Sequence, residues 1–137
     1  MSRAPLLQPR QIHLFIAYDN FSFFKPLVPL LNVECIRILG KADTVTQAIE
    51  WCNPFDIDVL VMDMAFGARL VQEFQAKRPL LKIIGMTKEF EKPAIQTMRN
   101  LKMRGSIFEK PLDIERTIDC IQAVARGELY FRFIPIK

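Results

Sequence analysis

The chain has 137 residues, half of them hydrophobic, and a formal net charge of +4, which is the size and apolar content of one domain with its own core. No stretch approaches the roughly eighteen apolar residues that span a bilayer, Met1-Ser2-Arg3-Ala4-Pro5 lacks a hydrophobic signal core, and the basic residues are spread among acids. A membrane protein and nucleic-acid binding by this chain alone are therefore set aside, and a cytoplasmic protein is expected.

Residues 1–11 read as an N-terminal arm. Ile12-His13-Leu14-Phe15-Ile16-Ala17-Tyr18 is an apolar run of strand length that ends on Asp19-Asn20. His13 falls at the start of that strand, away from the aspartate, and reads as structural. Residues 21–31 suit a first helix, but Pro26 and Pro29 predict a late start or a kink, because only the first turn tolerates proline without losing hydrogen bonds. Residues 33–39 read as the second strand, with Gly40 as its turn. Asp43 or Thr44 would cap a helix whose stripe is Val45, Ala48, Ile49 and Cys52, and Asn53-Pro54 would end it.

The central run, Phe55-Asp56-Ile57-Asp58-Val59-Leu60-Val61-Met62-Asp63, reads as a strand buried on both faces. Such a strand has no place for an ionised group in its middle, so Asp63 belongs at the sheet's carboxyl edge. As a lone feature, Asp63 could equally cap the next turn. A short Met64-Ala65-Phe66-Gly67 loop leads to a helix with Leu70, Val71 and Phe74 on one face, ending before Pro79. Residues 80–87 form a fourth strand that finishes in Thr87. Pro93 opens a helix carrying Ile95, Met98 and Leu101, and Gly105 leads into a short strand over residues 106–109, followed by Lys110-Pro111. Asp113 caps the last helix, with a stripe of Ile114, Ile118, Ile121 and Ala125, and Gly127 closes it. Residues 128–137 form an apolar tail with no evident partner inside the domain, so burial against the domain or against a second copy is expected, the alternative being a linker to an effector domain. Cys35, Cys52 and Cys120 are odd in number and set in apolar sequence, which suits small buried side chains rather than disulfides or a metal site.

Five strands alternating with five helices predict an α/β, flavodoxin-like, doubly wound parallel sheet of order 2-1-3-4-5. The switch point of that order lies between strands one and three, which end in Asp19 and Asp63. Asp19, Asp63, Thr87 and Lys110 then share one edge: two carboxylates, a hydroxyl and an ammonium. Two close carboxylates favour a hard divalent ion such as Mg²⁺. Asp63 could attack a phosphoryl group to give an acyl phosphate, while the ammonium and the hydroxyl offset charge on the phosphoryl oxygens.

The pieces Ile16-Ala17-Tyr18-Asp19-Asn20, Asp58-Val59-Leu60-Val61-Met62-Asp63, Ile83-Ile84-Gly85-Met86-Thr87 and Glu109-Lys110-Pro111 resemble the response-regulator receiver domains of two-component signalling, over residues 12–127. The resemblance implies that Asp63 receives phosphate from a histidine kinase or phosphotransfer protein, and that Asp19, Asp63 and the backbone carbonyl of Ala65 hold Mg²⁺. It also implies that Thr87 and Lys110 contact the phosphoryl group; a homodimer is expected, through the apolar tail or through the last two helices, the surface the resemblance implies. The ending Ala123-Val124-Ala125-Arg126-Gly127-Glu128-Leu129-Tyr130 is similar to receivers that precede a helix-turn-helix domain.

Departures from the family pattern predict weak Mg²⁺ binding. Tyr18 stands where a second acid is usual, the loop after Asp63 is short and holds Phe66, and Lys88 follows Thr87 where a small residue is favoured. The aromatic position expected on the fifth strand falls on Ile107 or Phe108. A phosphorylated receiver is the leading reading, and a pseudo-receiver that binds partners without phosphorylation is the alternative. A flavin-binding protein of the same topology is disfavoured, because no loop offers a phosphate cradle.

Overall fold

The structure, a computed structural model, describes residues 11–18, 25, 28–42, 44–52, 56–109 and 113–131. Along the chain run β1 (Ile12–Ala17), α1 (Val28–Val33), β2 (Ile36–Ala42), α2 (Val45–Cys52), β3 (Val59–Asp63) and a 3-10 turn (Met64–Phe66). There follow α3 (Ala68–Lys77), β4 (Lys82–Thr87), α4 (Lys92–Asn100), β5 (Gly105–Phe108) and α5 (Ile114–Ala125). The five strands form one parallel sheet in the order β2-β1-β3-β4-β5, as the alternation of strand and helix predicts.

Leu14 to Ala17 and Val59 to Met62 have no exposed surface, because helices cover both sides of the central strands. Alternate side chains feed two core layers. Leu14, Ile16, Val59, Val61, Ile84, Met86 and Ile107 pack with Leu31 of α1 and with Cys120, Ile121 and Val124 of α5. Phe15, Ala17, Leu60, Met62 and Ile83 pack with Ala48, Leu70, Val71, Phe74, Ile95 and Met98 on α2 to α4. Gly85 lets α4 approach β4 closely, since a Cβ there would sit 2.8 Å from Met98 Cε.

The helix ends follow local chemistry. Thr44 Oγ1 accepts from the Gln47 amide at 3.1 Å, and Asp113 Oδ1 accepts from Arg116 N at 3.1 Å. Gly127, at φ 95°, donates to Val124 O while Glu128 N donates to Ala123 O, a paired closure that needs a left-handed residue between them.

Several expectations change. The second strand starts at Ile36 rather than Val33, which ends α1, because Glu34 and Cys35 make a turn with Cys35 at φ 63°. Gly40 lies inside β2 rather than ending it. Leu14 pairs with Ile38 and Phe15 with Gly40, so Leu39 is bulged out. Glycine is required there because a Cβ would meet the Phe15 ring at 2.8 Å. On α5 the buried face is Thr117, Cys120, Ile121, Ala123 and Val124, whereas Ile114 is exposed.

The start of the tail folds back on the domain, one of the two expected fates. Tyr130 forms a parallel bridge with Gly105 on the open side of β5, its N donating to Arg104 O at 2.9 Å and its O accepting from Ser106 N at 3.1 Å. Tyr130 packs on one core layer and Phe131 on the other, with the Arg99 guanidinium 5.4 Å from the Phe131 ring centroid. Residues 1–10 of the arm, Asp43, Asn53-Pro54 and residues 132–137 lie outside the described residues. Among those described, no helix is long and apolar enough to cross a membrane.

Candidate functional site

Asp63 is the last residue of β3 and is half-buried at the carboxyl edge. Its Oδ1 accepts from the Ala65 amide at 2.9 Å, which makes it the cap of the 3-10 turn Met64–Phe66. Both uses of Asp63 read from the sequence are thus realised by one side chain: it ends the buried strand and caps the turn. Gly67, at φ 94°, links that turn to α3.

On the neighbouring strand Asp63 pairs with Met86, so Thr87 ends β4 one residue further along. Thr87 Oγ1 donates to Glu89 O at 2.7 Å. Thr87 pairs with Phe108, whose ring meets Phe90 edge-on with centroids 5.7 Å apart, while Ile107 is buried on the opposite face. Of the two candidates for the aromatic position, Phe108 is therefore the one beside Thr87. Lys88 is exposed. Asp19 and Lys110 lie outside the described residues, so of the expected constellation the structure places Asp63 and Thr87 together on adjacent strand ends.

Tyr18 follows β1 and is 2 % exposed. Ala17 pairs with Met62, so Tyr18 and Asp63 are the next residues on their strands. The alternation that puts Leu14, Ile16, Val59 and Val61 on the α1/α5 side puts Tyr18 and Asp63 there as well. The Tyr18 hydroxyl donates to Glu109 Oε1 at 2.5 Å, a bond between residues 91 apart in sequence. Glu109 in turn donates its amide to Thr87 O at 3.0 Å. Sequence reasoning noted Tyr18 as a departure and missed its partner. The signal available was that Glu109 stands immediately before Lys110, at the same edge.

A Mg²⁺ ion would require Asp19, Asp63 and the Ala65 carbonyl. Tyr18 contributes no carboxylate, and its hydroxyl donates a hydrogen bond to Glu109. Among the described residues no group of three or more His, Cys, Asp and Glu could hold a metal.

At the opposite edge Asp58 Oδ2 accepts from His13 N at 2.8 Å, and His13 Nδ1 lies 3.2 Å from Asp56 O. His13 is structural there, as expected. Cys120 is buried, its Sγ 3.6 Å from Ser106 O, and Cys35 is half-buried.

No family model matches the chain. The response regulator UvrY of Escherichia coli is 24% identical over 105 residues, covering 74% of this chain and 48% of that protein, so the chain spans about half the length of the curated relatives it matches. The receiver domain of RcsB from Escherichia coli superposes with a TM-score of 0.79 at 20% identity, over 90% of this chain and 100% of that one. The receiver domain of NarL from Mycobacterium tuberculosis gives 0.76 at 15% identity, over 88% and 100%. The chain has the receiver-domain fold, in a divergent form.

Proposed function

We propose that the chain is a two-component signalling receiver that accepts a phosphoryl group on Asp63 from a histidine kinase or phosphotransfer protein and thereby alters a protein-binding surface. The observation that carries this reading is the place of Asp63: a carboxylate at the end of the central buried strand, half-exposed at the edge where ligands of such sheets bind. Attack by Asp63 forms the carboxylate oxygen–phosphorus bond as the donor's bond to phosphorus breaks, a phosphorus–nitrogen bond for a phosphohistidine, which leaves as imidazole, and a phosphorus–oxygen bond for acetyl phosphate, which leaves as acetate. Thr87 on the adjacent strand would turn its hydroxyl from Glu89 O to the phosphoryl oxygens, and Lys110 would offset their charge. Mg²⁺, held by Asp19, Asp63 and the Ala65 carbonyl, would bind weakly for want of an acid at Tyr18. A receiver of similar fold, RcsB of Salmonella enterica serovar Typhimurium, is described with the phosphomimetic BeF3⁻ at 19% identity.

Incubation with acetyl phosphate and Mg²⁺, followed by intact mass, tests the reading. One phosphoryl adduct, lost in Asp63→Asn, is expected; an unmodified mass at every donor concentration would overturn it. The Tyr18–Glu109 bond favours the second reading, a pseudo-receiver that binds partners without phosphorylation, and the unmodified mass is its expected result. RcsB is also described as two dimers bound to two parallel DNAs, and a homodimer of the present chain through α4 and α5 is part of the proposal. Light scattering at tens of micromolar should give twice the chain mass, and a version ending at Gly127 should give the same, since Tyr130 and Phe131 pack within their own domain.

A further inference from the structure

Asp63, Met86 and Ile107 are cross-strand partners on β3, β4 and β5, and Tyr18 extends that row beyond β1. Adjacent strands lie about 4.8 Å apart, so the side chain of Asp63 stands between those of Tyr18 and Met86, which are 2 % and 0 % exposed. The Tyr18 phenol bridges this row to Glu109 at the end of β5.

We propose that Tyr18 and Glu109 form a latch that reports the state of Asp63 to the end of β5, with the signalling aromatic carried by β1. The idea rests on Asp63 as the acceptor. In the unmodified chain the hydroxyl of Tyr18 holds the carboxylate of Glu109 beside the row. When Asp63 attacks acetyl phosphate, the bond between its carboxylate oxygen and phosphorus forms as the bond to acetate breaks. Acetate leaves with the electron pair, and no proton is consumed. The new group adds three oxygens and replaces the single carboxylate charge by about −1.5 to −2 on the phosphoryl oxygens, a net gain of at most about one negative charge. It crowds Tyr18 in a row already closed by Met86, and it repels the Glu109 carboxylate. Both effects act against the same hydrogen bond. Its release frees the side chain of Glu109, whose amide is bound to Thr87 O, so the change at Asp63 reaches the ends of β4 and β5 together.

Tyr18 and Tyr130 are the two tyrosines of the chain, so ¹³Cζ-tyrosine NMR on the full chain reads the latch directly, the Tyr18 resonance being identified by its loss in Tyr18→Phe. In the unmodified protein Glu109→Gln should move the Tyr18 resonance, and no movement would overturn the latch. With acetyl phosphate, a chain that mass analysis shows to be phosphorylated should move the same resonance towards its Glu109→Gln position. A phosphorylated chain with an unmoved Tyr18 would overturn the latch and leave the acceptor reading standing. If no adduct forms, the acceptor reading fails and Asp63→Glu decides the latch, since one added methylene presses on the same row. A shifted Tyr18 supports the coupling, and an unshifted one overturns it. Tyr18→Phe should also speed exchange of the Glu109 amide by about tenfold, the size expected for losing a bond to a charged acceptor; unchanged exchange would count against the latch.

Discussion

Two aspartates bracket the central strand, Asp58 just before β3 and Asp63 at its end, and they have the same chemistry and different work. Asp58 is bound into the neighbouring strand: its carboxylate takes the amide of His13, and its own amide donates to His13 O at 2.9 Å. Asp63 takes the amide of Ala65, two residues on, in a turn outside the sheet. One carboxylate closes the ladder between β1 and β3, and the other sits on a local turn that can reorganise without opening the ladder. In a parallel α/β sheet the amino edge can spend its charges on the fold, while the carboxyl edge keeps them for chemistry.

The sharpest break of that comparison is Asp63→Asn. It should abolish the phosphoryl adduct completely while changing stability by less than about 1 kcal/mol, because asparagine still caps the turn; a large loss of stability in a denaturant titration would assign Asp63 a structural role like that of Asp58. Next in size is Asp58→Ala, which leaves the His13 amide without its charged acceptor. A loss of about 2 kcal/mol in urea unfolding is expected, with adduct formation kept, and an adduct lost along with stability would erase the distinction between the two ends.

Tyr18→Asp sharpens the comparison by adding a charge at the carboxyl edge alone. Calorimetric titration should give Mg²⁺ affinity higher by about tenfold, from one more anionic oxygen ligand; equal affinities would place Tyr18 away from any cation. The smallest effect belongs to Glu128, at neither end of β3. The hydrogen bond from Arg126, and then its charge, hold the Glu128 carboxyl below its ordinary value. A lowered folded value means the pair's stabilisation is present above the ordinary carboxylate range and is lost as pH falls through the lowered one. Both side chains are exposed, so Glu128→Gln should lower the melting temperature slightly at neutral pH and not at all in acid. An equal difference at both pH values would mean that the charge is not the cause.

The sheet order and the placing of Asp63 and Thr87 were legible because they rest on runs of apolar residues with polar ends, a short-range signal. What escaped was set by contacts between distant segments. Gly40 reads as a turn until the Phe15 ring is placed against it. The tail reads as unpartnered until Gly105 presents the open side of β5 to Tyr130. Tyr18 reads as a missing acid, and its bond to Glu109 joins residues at opposite ends of the domain sequence. No periodicity encodes such a pair.

The bulge at Leu39 bears on how the margins of the sheet keep out foreign strands. An open parallel sheet offers two bare margins to which foreign strands could add. On one margin Tyr130 already occupies part of β5. The other is β2, where the extra residue breaks the even spacing of donors and acceptors and Arg37 and Lys41 stand exposed. An incoming strand would meet a ladder out of step and two positive charges, so the irregularity that accommodates one phenylalanine also guards against amyloid-like stacking.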